Sequence, residues 1–422
     1  MFSEVRIMKT RAVRLYGKND LRLEEFTLPE MAEDEITASV MTDTICMSTY
    51  KLAIMGEDHK RAPKDLAATP AMIGHEFCAV ITGVGDNWKD RYRVGDWVIM
   101  QTALNENDSL ASPGFTYPYV GGDATDILIP SYVMKLGCLF RFEADAYFLG
   151  SLAEPMGCIV AAFQASYHTV HGTNTHIMGT KQDGRMAILG GCGPMGLGTI
   201  DYALHCDAPP GLLVVTDIND ALLRRAQEIF AGQQGETSLV FLNGARKDIK
   251  DALLELAPDG YDDVFTMVPA APVVELADGI LGRDGCHNFF AGPTDPAFSA
   301  RINWFNVHYG ATHVVGTSGG TIRSILDSVE LMRQRRINPA VMITHIGGLN
   351  TVVDTTLNLP KIPGGKKLIY TQIDFPLTAI ADLAERGRTD LLCRRLSEIV
   401  AANNMLWCPE AERVLLEAMG VS

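Results

Sequence analysis

MAILGGCGPMGLGTIDYALHC, residues 186–206, runs from an apolar strand-like segment through a glycine-rich turn into a helical segment. Gly191, Gly193 and Gly196 give the spacing G-x-G-x-x-G, with Pro194 and Met195 between the last two. The spacing alone is weak evidence. Its place between a strand and a helix makes it a dinucleotide-binding turn. The first glycine permits the tight turn, the second lets backbone approach a pyrophosphate, and the third lets helix pack on strand. The helix N-terminus adds free N–H groups and the positive end of its dipole.

The pattern repeats downstream. GLLVVTDIN (211–219) is a second apolar strand, followed by the helical DALLRRAQEIFA. YDDVFTMV, CHNFFAGP and THVVGTSGG read as further buried strands. Strands alternating with helices predict an α/β, doubly wound parallel sheet, a Rossmann domain, over residues 166–335. Asp217 ends the second strand, where a carboxylate accepts from ribose hydroxyls and repels a 2′-phosphate. NAD(H) is therefore favoured, with NADP(H) the second choice. The alternative for Asp217 is a helix N-cap or turn role. Arg224 and Arg225 read as solvated helix residues.

Upstream, KTRAVRLYG, LRLEEFTLP and EITASVMTD alternate or carry β-branched residues, and VGDWVIM and GGDATDILIP continue the pattern. Residues 1–165 thus form a strand-rich domain, to which 336–373, with the apolar GGKKLIYTQI, returns. Residues 374–422 read as a helical C-terminal extension, with an apolar stripe in DLLCRRLSEIVAANN.

The net charge of −15 disfavours nucleic acid and anionic membrane surfaces, both of which reward excess Lys and Arg. Nine cysteines, an odd number without a CxxC pair, argue against a disulfide framework and for a reducing cytoplasm. The N-terminal segment has no apolar run of signal-peptide type, and no stretch is apolar enough for a membrane span.

Metal-binding chemistry is suggested by Cys46 in TDTICMSTY and His75-Glu76 in IGHEF. A catalytic zinc takes three protein ligands and keeps one position open. Glu154 in SLAEPMGC is the best third candidate, with Glu76 its rival as ligand or supporting group. Singly, each has a bland reading, since a free Cys is usually a small buried hydrophobe.

Taken in order, Cys46, GHE (74–76), VGDWV (94–98), AEP (153–155) and GGCGPMG (190–196) resemble the zinc-containing medium-chain dehydrogenases. The EP form resembles their sorbitol dehydrogenase branch, in which Glu replaces Cys. The resemblance spans about residues 10–373. It implies a GroES-like catalytic domain, metal positions at Cys46, His75 and Glu154, and Glu76 at a position that coordinates directly in some members. It also implies that Ser48 contacts the substrate oxygen and begins a proton relay, and that the protein is a homo-oligomer, dimer or tetramer. Ala79 departs from the Gly usual after GHEFC. The stretch 100–122 has no cysteine, which excludes the structural Cys₄ zinc of many relatives and leaves one catalytic zinc per chain. The 374–422 tail exceeds the usual family length.

CMSTYKLAIMGEDHKR, INPAVMITHIGGL and PGGKKLIY resemble reductases of ketose phosphates. They imply reduction of L-sorbose 1-phosphate to D-glucitol 6-phosphate. EDHKRAPK (57–64) concentrates cations in an acidic chain, and Lys60 and Arg61 are candidate phosphate contacts. A solvated loop is the simpler account. The alternatives are an unphosphorylated polyol, alcohol or threonine-type dehydrogenase and, in another class, a nucleotide-binding protein without catalysis.

Overall fold

The computed structural model describes residues 8–104 and 109–421. Most of the N-terminal segment read for a signal peptide, and part of the cysteine-free stretch, lie outside the described residues. The chain divides into two compact units, Met1–Glu154 with Ile343–Ser422, and Pro155–Met342.

In the second unit a six-stranded parallel sheet runs in the order Ser238–Asn243, Leu212–Asp217, Arg185–Leu189, Tyr261–Thr266, Leu281–Phe289, His313–Val315. The first of these strands in sequence, Arg185–Leu189, lies inside the sheet. The chain builds outward from it on one side, then crosses back to build on the other. Such a reversal opens a crevice at the strand's carboxyl end, which is where residues 190–196 lie. Met186, Ala187, Ile188 and Leu189 are buried, as expected for a strand covered on both faces. Helix Pro194–His205 follows the turn with Pro in its first turn, where the missing N–H costs nothing. Helix Asp220–Phe230 starts at Asn219, whose side chain accepts from the N–H groups of Ala221 and Leu222.

The first unit is strand-rich. Its main sheet has Ile36–Ile45 at the centre, paired antiparallel with Phe77–Val84, Asp126–Ile129 and Lys366–Tyr370. The last strand also pairs in parallel with Ile343–Gly348. A smaller sheet joins Lys9–Gly17 to Asp20–Thr27 and Ala71–Met72. Beyond Tyr370 the chain adds a short strand, Thr378–Ala379, before helices Leu383–Arg386, Leu391–Ala402 and Pro409–Ala418. Leu396, Val400 and Leu415 on these last helices, and Trp407 between the final two, are buried. No helix among the described residues is long and apolar enough to cross a membrane.

Candidate metal centre and nucleotide turn

Strand pairing assembles the candidate metal centre. Asp43 faces Phe77 across the antiparallel ladder, so the end of Ile36–Ile45 meets the start of Phe77–Val84. Cys46 comes just after the first strand, as the residue preceding helix Met47–Met55, and His75-Glu76 just before the second. On the other side Lys367 faces Ile45, which brings Lys366 alongside.

The turn into His75 requires Gly74. Its φ is +91°, and a Cβ there would lie 2.4 Å from both the Asp123 nitrogen and Asp43 Oδ2. Asp43 Oδ1 accepts the Glu76 N–H at 2.9 Å.

Donor atoms of Cys46, His75 and Glu76 all lie within 4.8 Å of one another, and no other such group of His, Cys, Asp or Glu occurs among the described residues. His75 and Glu76 are buried. Burial pushes the His75 imidazole down to about 4, so it is neutral, the form a metal requires. Burial, with the Glu76 charge, pushes the Cys46 thiol up to about 12. A thiolate there needs a strong neighbouring cation, and thiolate, imidazole and carboxylate together match zinc.

Neighbouring side chains hold His75 and Glu76. The Thr49 hydroxyl lies 3.3 Å from His75 Nδ1 and the Ser48 hydroxyl 3.1 Å from Nε2. The Phe115 ring packs 4.6 Å from the imidazole. Glu76 is bound by Lys366 and by the Thr44 hydroxyl. Burial alone would raise Glu76, but Lys366 and His75 hold it below its usual range. Burial likewise opposes a charged Lys366, yet Glu76, Cys46 and Glu154 keep it well above its ordinary value.

Glu154 opens helix Ala153–Ala165 and is partly buried. It lies outside the trio drawn within 4.8 Å, but its charge acts on Lys366 and on Arg61. Arg61 donates to Ser112 Oγ and the Leu110 carbonyl, with its guanidinium 5.4 Å from the Phe115 ring centre. The basic segment is therefore not one solvated face. Lys60 is exposed, Lys64 donates to the Glu57 carbonyl, and His59 is buried, accepting the Arg61 N–H on Nδ1. Lys51 is half-buried, and the fields of Cys46 and Lys60 both act on it.

Sequence reasoning assigned no role to Lys366, Thr49, Asp43 or Asp123. A pair of lysines inside the apolar run GGKKLIY was the available signal for Lys366, because a charged residue in a buried strand needs a partner. Asp43 and Asp123 are fully buried, and each acts electrostatically on the other. Burial, then Asp123, raises Asp43, and burial raises Asp123 to about 7.

In the second unit, the Gly191 N–H donates to the Thr216 carbonyl at 2.8 Å. A Cβ on Gly196 would lie 2.2 Å from the Gly191 oxygen, whereas one on Gly193 would meet nothing within 4 Å. Gly196 thus serves helix packing, and Gly193 leaves backbone accessible just before the helix. Asp217 accepts from the Cys192 N–H at 3.1 Å and the Asn219 N–H at 3.0 Å, so it also braces the glycine turn. Arg225 departs from the solvated-helix expectation: it is partly buried and donates to the Val341 carbonyl, while Arg224 is exposed.

No family model matches the chain. It is 46% identical over 408 residues to L-sorbose 1-phosphate reductase of Klebsiella pneumoniae, covering 96% of this chain and 97% of that protein. It is 43% identical over 419 residues to mannitol-1-phosphate 5-dehydrogenase of Aliivibrio fischeri, covering 98% and 99%. Among solved structures it resembles a zinc-binding dehydrogenase of Sinorhizobium meliloti bound to NADP, with a TM-score of 0.72 and 20% identity, covering 86% of this chain and 100% of that one.

Proposed function

Since the chain belongs to the medium-chain dehydrogenase family that includes L-sorbose 1-phosphate reductase, we propose that it reduces L-sorbose 1-phosphate to D-glucitol 6-phosphate. It is an NAD(P)-linked oxidoreductase of the sugar-phosphate and polyol class. The observation that carries the reading is the convergence of Cys46, His75 and Glu76 donors in a chain akin over its full length to a sugar-phosphate reductase.

One zinc ion per chain is held by Cys46, His75 and either Glu76 or Glu154. Zinc supplies Lewis acidity that polarises a ketone oxygen. Lys366 and Thr44 orient Glu76, and Thr49 orients His75 through Nδ1. Ser48, beside His75 Nε2, gives its proton to the developing alkoxide and begins the relay. Lys60 and Arg61 take the substrate phosphate. Arg61 uses Nη1 for Ser112 and Leu110, and a guanidinium has five N–H donors in all.

Gly191, Gly193, Pro194, Met195 and Gly196 cradle the pyrophosphate at the start of helix Pro194–His205. Asp217 faces the ribose hydroxyls and favours NAD(H) over NADP(H). The protein acts in the cytoplasm as a homo-oligomer. Exposed Trp304, Phe305, Tyr309 and Val314, the last on the edge strand His313–Val315, support self-association.

The second substrate reading is an unphosphorylated polyol, supported by the polyol-dehydrogenase-like EP form at Glu154. A panel of ketoses, hexitols and their phosphates, assayed with NADH and NADPH, tests both. Turnover of free L-sorbose equal to that of its phosphate ester rejects the phosphate reading.

A further inference from the structure

Glu412 lies on the C-terminal helix Pro409–Ala418, yet it is only 3% exposed. Its carboxylate accepts three hydrogen bonds: from the Tyr147 N–H at 2.5 Å, the Phe148 N–H at 3.0 Å and the Tyr370 hydroxyl at 3.0 Å. The Tyr370 oxygen itself accepts from Trp407 Nε1 at 2.7 Å, which turns the phenolic proton toward Glu412.

The destinations of these bonds matter. Tyr147 and Phe148 begin the short helix Tyr147–Ser151, and the chain passes from it directly to Glu154. The Ser151 carbonyl in that helix accepts from Thr44, which also binds Glu76. Tyr370 ends the strand Lys366–Tyr370, and Lys366 at its start holds Glu76. One carboxylate from the tail therefore joins the two segments that bear Glu154 and Lys366. A buried carboxylate is a poor choice for stability alone, because apolar packing of similar volume usually does as well or better.

We infer that Glu412 is a positioning residue for the metal centre: through it the C-terminal helix fixes helix Tyr147–Ser151 and strand Lys366–Tyr370, and so sets Glu154 and the Lys366–Glu76 pair around the metal. The inference rests on the metal-centre reading above.

The test compares zinc release from full-length, zinc-loaded protein to a chromogenic chelator. Glu412→Gln turns an amide toward N–H donors and should speed release about tenfold, as loss of an outer support of a metal site does. Glu412→Asp should recover part of the loss. The fall in turnover should lie in kcat, with KM for the nucleotide unchanged. Leu415→Ala, a buried truncation in the same helix that keeps the carboxylate, is the control for simple loosening. Equal release from Glu412→Gln and Leu415→Ala at matched loss of Tm, or release from Glu412→Gln at the wild-type rate, would overturn the inference. If Glu412→Gln does not fold, the same comparison is made between Glu412→Asp and Leu415→Ala. Failure of the metal reading itself shows separately, as zinc content unchanged by Cys46→Ala.

Discussion

Lys366 reaches both oxygens of Glu76 at 2.5 Å, and the two side chains are only 4% and 2% exposed. A pair so deeply buried tolerates loss of both charges better than loss of one. In zinc-free protein Lys366→Ala should cost about 3–5 kcal/mol, because Glu76 is left as an uncompensated buried charge. Adding Glu76→Gln should recover a large part of it. Urea unfolding of the single and double variants measures both, and a double variant no more stable than Lys366→Ala would contradict the account.

The metal prediction is stoichiometric. Elemental analysis should find one zinc per chain, and Cys46→Ala should abolish activity while the far-ultraviolet spectrum stays that of the folded protein. Two tightly held zinc ions per chain would contradict a single centre built on the trio within 4.8 Å.

For the nucleotide, kcat/KM should be higher with NADH than with NADPH. Asp217→Ser should narrow the difference. It should also weaken binding of both nucleotides, because Asp217 braces the turn through the Cys192 N–H. Equal efficiency of the wild-type chain with both cofactors would refute the assignment.

For the substrate, one charge-assisted contact to phosphate contributes about 1.5–3 kcal/mol. That corresponds to roughly 10- to 100-fold in kcat/KM for a ketose phosphate over the free ketose. Lys60→Ala is the cleaner probe, since Arg61 also holds Ser112 and Leu110. It should lower the rate with phosphate ester and spare the free sugar. An equal loss on both substrates would mean that the loop is merely supported by this residue.

The Asp43–Asp123 pair gives a pH signature. Burial raises Asp123 to about 7 in the folded chain, from an ordinary value of 3.8. As pH rises through this window the unfolded chain gives up the proton while the folded chain keeps it, so this group's contribution to stability falls. Asp123→Asn, whose amide can donate to Asp43, should remove that decline. The difference in urea midpoint between variant and wild type should grow in the variant's favour from about pH 4 to about pH 7. A constant difference would show that Asp43 and Asp123 share no proton.

The parallel sheet was legible because its strands are continuously apolar and its turn demands glycines at fixed spacing. Cys46 and His75 were legible as residue types with few bland uses in combination. Lys366 was not, because its role depends on a register between strands far apart in sequence. Arg225 was misread because a helical face in isolation does not reveal the Val341 carbonyl beneath it. Glu412 lay in a tail read only for its helical stripe, and nothing local marks a glutamate that points inward.

The strand Ile36–Ile45 finds one neighbour, Lys366–Tyr370, only near the end of the chain, whereas the unit Pro155–Met342 is continuous. During synthesis the nucleotide-binding unit is therefore complete on the ribosome before the first unit can close. A stalled or truncated product lacking the last sixth or so of the chain should retain the nucleotide-binding fold but have no competent metal centre, and its unpaired strand edge would be exposed to quality control. On the proposed metal reading, the surroundings of Glu76 are therefore completed only when Lys366 arrives, late in synthesis.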